Sequence, residues 1–203
     1  MQCRDGDKAK KVPVTEVTSS MDRRAFFSKG AMAAASVKGI SAEATEGRAV
    51  PPMKLVIGSD HAGFLMKGPI IELLRSWGQM VYDVGTFSAD PVDFPDIAKR
   101  VGAEILTGRA QRGIMVCGTG VGAVIAGNKI KGIRAALCHD TFCAHQCVEH
   151  DDVNLLCMGA WIIGIKLAEE ILRAFLSARF STDEDFRRRV KKLEQLETLQ
   201  PEH

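Results

Sequence analysis

One cysteine separates an apolar run from a glycine-rich segment in the stretch GIMVCGTGVGAVIAGNKI, residues 113–130. Cys117 ends the apolar run, and Gly118, Gly120 and Gly122 follow it at alternate positions. Glycines at this spacing allow a tight turn with exposed backbone N–H groups, because no side chain restricts the backbone. A helix that begins directly after the turn adds the positive end of its dipole. The segment therefore predicts an anion-binding turn with a thiol at its edge.

The thiol of Cys117 has a chemical interpretation and a structural one. N–H donors and a helix N-terminus stabilise a thiolate, so we predict that Cys117 is neither buried nor paired and that its pKa is lowered. Such a thiolate can take a proton from carbon, while the same N–H groups hold negative charge on a neighbouring oxygen. Proton abstraction next to a carbonyl needs both functions. The structural alternative is a tight turn after a strand, with Cys117 as a small core residue.

Apolar runs and helical patterns alternate along the chain from residue 54 onward. Strands that are apolar throughout, in alternation with helices, predict a parallel sheet covered on both faces. The predicted strands are 54–60, 80–85, 113–118, 133–140 and 154–159, and the predicted helices are 64–78, 95–108, one from about 121, 141–150, 163–180 and 183–197. The fold class is therefore α/β with a five-stranded parallel sheet.

Three of the predicted strands end in polar or reactive residues. These ends are Ser59-Asp60-His61, Cys117-Gly118-Thr119-Gly120 and Cys138-His139-Asp140. The carboxyl ends of parallel strands lie along one edge of a sheet, where ligands of such sheets bind. We therefore expect all three groups along one edge.

The composition bounds the class of protein. Among its 203 residues, 46% are hydrophobic and 26% are charged, which is typical of a globular protein. The net charge of +2 argues against nucleic acid as a partner, and no apolar run reaches the roughly eighteen residues of a membrane span. The six cysteines lack the spacing of a disulfide framework, so free thiols are expected.

The first fifty residues differ from the rest. The segment from Met21 to Ala44 combines paired arginines, an alanine-rich stretch and a small-x-small end, which is typical of a twin-arginine export signal. Two interpretations stay open, periplasmic export and a disordered extension of a cytoplasmic protein, and the second is favoured. The predicted organisation is an extension over 1–50, a domain over 53–197 with a charged last helix, and a tail over 198–203.

Four segments of the predicted domain together resemble a known enzyme family. They are GSDHAGFLMKGPI, VDFPDIA, MVCGTGVGAVIAGNKIKGIRAALCHD and EHDDVNLLCMG. They are similar to the ribose-5-phosphate isomerase B family, which also holds the galactose-6-phosphate isomerase subunits. The resemblance implies a Rossmann-like three-layer α/β/α sandwich without metal or cofactor, and a homodimer or tetramer with its active site between subunits. It implies a small sugar or sugar-phosphate substrate and interconversion of ribose 5-phosphate and ribulose 5-phosphate through a cis-enediolate.

The resemblance also implies roles for individual residues. Cys117 would move a proton between C1 and C2, His150 would open the furanose ring, and Thr119 would act beside them on the enediolate. The implied substrate-binding residues are Asp60, His61, Gly118, Gly120, Gly122, Asp151 and Arg189. Of these, Asp60 would hold sugar hydroxyls, while His61 and Arg189 would bind the phosphate.

The chain departs from the family pattern where the phosphate would bind. The family usually has arginine at the positions of Trp161 and Asp185, and asparagine at Asp151. A hydrogen bond to a charged group contributes roughly 1.5–3 kcal/mol, so loss of two arginines predicts weaker phosphate binding. Arg187 or Arg188 would have to compensate. The alternative is the same chemistry on a different or unphosphorylated sugar such as allose.

Three further alternatives follow from the same residues. One is a non-catalytic sugar-binding module that kept the fold. Another is a cysteine hydrolase that pairs Cys117 with His150. The third is a metal site of His139, Cys143, Cys147 and His150, which is disfavoured because these residues spread over three helical turns.

Overall fold

The computed structural model describes residues 50–198, in which strands and helices alternate as predicted. The strands are β1 (Lys54–Ser59), β2 (Met80–Asp83), β3 (Arg112–Cys117), β4 (Ala135–Leu137) and β5 (Leu155–Gly159). The helices are α1 (Phe64–Ser76), α2 (Phe94–Leu106), α3 (Val121–Asn128), α4 (Thr141–Asp151), α5 (Ile165–Ser177) and α6 (Glu184–Leu196). None of these helices is long and apolar enough to cross a membrane. The segment that resembles an export signal lies outside the described residues.

All five strands are parallel and lie in the order β2-β1-β3-β5-β4. The winding reverses at β1, because β2 pairs on one side of it and β3 on the other. Right-handed crossovers before and after such a reversal cover opposite faces of the sheet. In this register Ser59 lies opposite Val116, and Cys117 lies opposite Gly159. The carboxyl ends of β1, β3 and β5 are therefore neighbours.

Two hydrophobic cores, one on each face of the sheet, produce three layers. Ile57, Ile114 and Met158 belong to the core that packs against α1, α4 and α5. Val56 and Met115 belong to the core against α2 and α3. Successive residues of a strand point to opposite faces, so strands between two cores must be apolar throughout. This Rossmann-like α/β/α arrangement confirms the predicted fold class.

Strand β4 is much shorter than predicted, with three residues instead of the eight of 133–140. It is an edge strand, and the side chain of Asn128 occupies part of its open side. The Asn128 amide nitrogen donates to the Ala135 carbonyl at 2.9 Å, and its Oδ1 accepts from the Ala135 N–H at 2.9 Å. A side chain thus makes the two hydrogen bonds that another strand would make.

Candidate active site

Asp60 is fixed at the carboxyl end of β1 by the neighbouring strand and by the start of α1. Its backbone N–H donates to the Val116 carbonyl at 3.2 Å, and its Oδ1 accepts from the Gly63 N–H at 3.0 Å. A Cβ atom on Gly63 would lie 2.2 Å from the Val116 oxygen, so only glycine allows the chain this close to β3. Asp60 is consequently buried beside the end of β3.

The Cys117 thiol lies close to the Asp60 carboxylate. Burial raises the pKa of Cys117, and the neighbouring Asp60 carboxylate raises it further. The backbone N–H groups of Gly120 and Gly118 act in the opposite direction and are outweighed. Cys117 is also only 8% exposed and packs in the core beside α2 and α3. The prediction of an accessible thiol with a lowered pKa was therefore wrong, because it omitted burial and the carboxylate.

The turn after Cys117 has the geometry that its glycines predict. Gly120 has a positive φ of 79° and precedes α3, and a Cβ atom there would lie 2.5 Å from Leu137 Cδ1. At Gly122 a Cβ atom would lie 3.0 Å from the Phe94 ring. Thr119 is exposed at the tip of the turn, where its Oγ1 accepts from the Val121 N–H at 3.4 Å. The backbone N–H groups of Gly118 and Gly120 lie close to the Cys117 thiol.

The loop after β5 closes one side of this turn. The Ala160 N–H donates to the Cys117 carbonyl at 2.8 Å, and the Trp161 N–H donates to the Gly118 carbonyl at 3.0 Å. The Trp161 indole lies directly over Gly118, where a Cβ atom would be 2.8 Å from the ring, yet the side chain is 73% exposed. An aromatic surface therefore lies beside the turn at the position where arginine was expected.

Exposed apolar side chains surround the carboxyl edge. They are Leu65, Phe87, Val121, Ile125, Phe142, Trp161 and Ile162. This apolar rim extends over the starts of α1, α3 and α4 and the loops after β2 and β5. Clustered exposed aromatic and aliphatic residues are typical of a surface that another protein covers.

His61 and His139 also lie at the carboxyl edge. His61 is exposed, and its Nδ1 accepts from the Val92 N–H at 3.3 Å. His139 Nε2 accepts from the Gly159 N–H at 3.1 Å and so ties the end of β4 to the end of β5. The sequence predicted that His139 lies at this edge, but it did not predict this hydrogen bond.

His150 and Asp151 lie at the other edge of the sheet. Helix α4 begins at the carboxyl edge and contains eleven residues. At 1.5 Å a residue it carries its last turn about 16 Å away. Just after this turn, Asp152 contacts Arg134, whose carbonyl accepts from the first N–H of β5 at 3.2 Å. A single chain therefore does not bring His150 or Asp151 to Cys117.

The His150 ring stacks on Phe186 of α6, with ring centroids 3.8 Å apart and an angle of 14° between the planes. The same helix carries the remaining predicted phosphate ligand, Arg189, which also lies near the Phe186 ring. Asp185 pairs with the Arg188 guanidinium and lies 3.8 Å from that of Arg189. The hydrogen bond from Arg188 lowers the pKa of Asp185, which therefore stays ionised. Within one chain, the arginines that were expected to bind phosphate therefore already lie next to the Asp185 carboxylate.

The residues of the metal-site alternative are engaged in other contacts. His139 accepts the Gly159 N–H, and His150 stacks on Phe186. Within residues 50–198, no group of three or more histidine, cysteine or acidic side chains is arranged to hold a metal ion.

One residue near the site was missed by sequence reasoning. Lys67 is 3% exposed, and its ammonium group donates to both carboxylate oxygens of Asp83, at 2.6 and 2.7 Å, and to the Thr86 carbonyl at 2.6 Å. The Thr86 N–H in turn donates to the Ser59 carbonyl at 2.7 Å. Lys67 therefore holds the loop after β2 against the end of β1, next to Asp60. The sequence feature that could have indicated a buried lysine is its position on the apolar face of a helix, three residues before Ile70.

A parallel sheet with an acidic residue, a cysteine and a glycine-rich turn at its carboxyl edge defines a Rossmann-like protein with a small-molecule site. The sequence model of the family described as Ribose/Galactose Isomerase matches residues 55–193. The chain belongs to this family and is an enzyme of the aldose–ketose isomerase class.

Individual relatives agree with this assignment. Ribose-5-phosphate isomerase B of Escherichia coli is 39% identical over 127 residues, which cover 63% of this chain and 85% of the relative. D-erythrulose-4-phosphate isomerase of Pectobacterium atrosepticum is 39% identical over 132 residues, covering 63% and 85%. The structure of Clostridium thermocellum ribose-5-phosphate isomerase B superposes with a TM-score of 0.70 at 40% identity, covering 71% of this chain and 97% of that one.

Proposed function

We propose that the protein interconverts ribose 5-phosphate and ribulose 5-phosphate, with Cys117 as the base. Relatives named for this activity cover most of the domain. The observation that carries the proposal is the position of Cys117, which lies between the Asp60 carboxylate and the N–H groups of Gly118 and Gly120. This arrangement combines a proton acceptor with donors for an oxyanion.

The chemistry follows from these neighbours. In the resting site the thiol is protonated, because burial and Asp60 raise its pKa. When the thiol ionises, the N–H groups of Gly118 and Gly120 stabilise the thiolate. The thiolate removes the proton from C2 of the open-chain aldose, an enediolate forms, and the proton returns at C1. The turn and Thr119 hold the oxygens on which negative charge develops.

The partner subunit completes the site in this proposal. His150 and Asp151 lie at the opposite edge of their own sheet, so they reach a carboxyl edge only in another copy of the chain. The apolar rim, which includes Phe87, Phe142 and Ile162, provides a surface for that copy. His150 of one subunit would then open the furanose ring over Cys117 of the other, as general acid and base.

A second candidate is the same isomerisation on a sugar without phosphate, such as allose. The specific observation in its favour is that Asp185 faces Arg188 and Arg189 while Trp161 covers the turn. A carboxylate beside the arginines weakens their attraction for a phosphate dianion.

Turnover of a panel of sugars tests both candidates. The panel contains ribose 5-phosphate, allose 6-phosphate and galactose 6-phosphate beside free ribose and free allose, with the Cys117→Ala protein as control. The proposal expects the highest kcat/KM for ribose 5-phosphate and a loss of at least a hundredfold in Cys117→Ala. A preference for a free sugar supports the second candidate. Full activity of Cys117→Ala would contradict the role of Cys117 in either case.

A further inference from the structure

Two thiols outside the candidate active site face each other between the sheet and α4. Cys138 directly follows β4, and Cys147 lies within α4. Their Sγ atoms are 4.0 Å apart, with the Cys138 thiol donating to the sulfur of Cys147. Cys138 is 1% exposed and Cys147 is half-buried, so the pair has one protected and one accessible member.

The surroundings of the pair distinguish its two members. The hydrogen bond from Cys138 lowers the pKa of Cys147, and the nearby Arg112 guanidinium contributes in the same direction. Burial and the Asp151 carboxylate oppose this effect without cancelling it. The Arg112 guanidinium donates hydrogen bonds to the carbonyl groups of Phe175 and Ala178, which fix the position of its charge. The pKa of Cys138 is raised, first by its hydrogen bond to Cys147 and then by burial.

Cys147 is also within reach of dissolved molecules. It lines a cavity of about 470 Å³ at the amino edge of the sheet, together with Arg134, Asp151 and Leu193. Small neutral oxidants can enter a space of this size. The third thiol of this region, Cys143, is exposed one helical turn earlier, but the neighbouring Asp140 carboxylate raises its pKa. Exposure alone would make Cys143 the more reactive thiol, whereas the environment favours Cys147.

We propose that Cys138 and Cys147 are a reactive dithiol that a hydroperoxide converts into an intramolecular disulfide. The Cys147 thiolate attacks one peroxide oxygen, the O–O bond breaks, and water leaves once the departing oxygen is protonated. The sulfenic acid on Cys147 is then attacked by the sulfur of Cys138, which loses its proton as a second water departs. Two thiols and one hydrogen peroxide thus give one disulfide and two waters.

The geometry requires little movement for this reaction. A disulfide has an S–S distance of about 2.05 Å, so the two sulfurs must approach by about 2 Å, which side-chain rotation can provide. The bond would join the end of β4 to α4 across a loop of ten residues, counted from 138 to 147. A thiol reductant reverses it by exchange. The proposal does not depend on which sugar the enzyme uses.

The test is oxidation of the full chain with hydrogen peroxide, followed by mass spectrometry of unreduced peptides. We expect a mass loss of about 2 Da, reversed by dithiothreitol, on a linked pair of peptides that contain Cys138 and Cys147. The Cys143→Ser variant is the matched control and should form the same bond at an unchanged rate. In Cys138→Ser, sulfenic acid should accumulate on Cys147 and be trapped by dimedone.

Several results would overturn the proposal. One is that the first disulfide to form involves Cys143 or joins two chains. Another is that Cys117 is oxidised faster than Cys147. A third is that both thiols are still reduced when most of the peroxide has been consumed. If the variants do not fold, the peptide map of the unaltered protein decides alone. The same oxidation of the protein unfolded in urea measures how fast the disulfide forms by random closure of the short loop. Comparison of the two rates shows whether the fold promotes the bond. The folded protein should form the bond at least tenfold faster.

Discussion

The Asp60 carboxylate lies close to the Cys117 thiol, across the ends of two adjacent strands, and raises the pKa of that thiol. The two residues are far apart in sequence and meet only because β1 and β3 pair in parallel. Asp60 opposes ionisation of the thiol, whereas the N–H groups of Gly120 and Gly118 favour it. The reactivity of Cys117 is therefore set by a balance that single substitutions can shift.

The first prediction concerns the pH dependence of Cys117. The pKa of the thiol is raised above that of an ordinary cysteine. The rate of its alkylation by iodoacetamide should therefore keep rising at alkaline pH values at which an ordinary cysteine is already fully ionised. Asp60→Asn removes the negative charge, so the pKa falls and the same acceleration should begin at lower pH. Labelling rates of the Cys117 peptide from pH 6 to 10 measure both curves. An unchanged curve in Asp60→Asn would show that burial alone sets the pKa.

The second prediction concerns sites shared between subunits. Cys117→Ala and His150→Ala should each be nearly inactive as pure proteins. When both are unfolded together in equal amounts and refolded, half of the dimers contain one of each, and one of their two sites is intact. Activity should recover to about a quarter of the wild-type value. Pure variants taken through the same procedure are the control, and no recovery would place both residues in the same subunit's site.

The third prediction concerns the phosphate. Trp161→Arg supplies a cation beside the turn at an exposed position, so it should lower the KM for ribose 5-phosphate by roughly tenfold or more. Trp161→Phe keeps an aromatic ring without charge and should not lower it. Steady-state kinetics at low salt measure the effect, because salt screens an exposed cation. An unaltered KM in Trp161→Arg would mean that the phosphate binds elsewhere.

The fourth prediction concerns the turn. Gly120→Ala places a Cβ atom against Leu137 at a positive φ, so it should lower the free energy of unfolding by about 1–3 kcal/mol. Gly108→Ala is the matched control, because φ there is also positive, at 72°, but a Cβ atom meets nothing within 4 Å. That substitution should lower the free energy of unfolding by only about 1 kcal/mol, the cost of the positive φ alone. Urea unfolding monitored by circular dichroism measures both, and equal effects would contradict the close contact with Leu137.

The fifth prediction concerns the buried ion pair beside the site. Lys67→Met leaves the Asp83 carboxylate and the Thr86 carbonyl without their donor, which should cost about 3 kcal/mol. Adding Asp83→Asn should restore part of the loss, since the uncompensated charge is removed. The exposed pair of Arg109 and Glu104 is the comparison, and Arg109→Gln should change stability little. Similar small losses for both pairs would mean that water compensates Asp83.

Much of the fold was predictable, because strands between two cores must be apolar throughout. Helix 64–78 was predicted two residues too long at its end, and helix 163–180 two residues too long at its start and three at its end, since apolar residues continue into the adjoining segments. The turn after Cys117 was predictable from its glycines, but the pKa of the thiol was not. That pKa depends on Asp60, which reaches Cys117 only through strand register. The partners of Lys67 likewise follow from tertiary packing rather than local sequence.

The amide of Asn128 has a consequence beyond the length of β4. An exposed edge strand offers unpaired N–H and C=O groups to which a strand of another molecule can add, and this leads to aggregation. Here the strand has only three residues, and the Asn128 side chain already occupies both backbone groups of Ala135. The β4 edge of the sheet is thereby protected from the addition of a strand of another molecule.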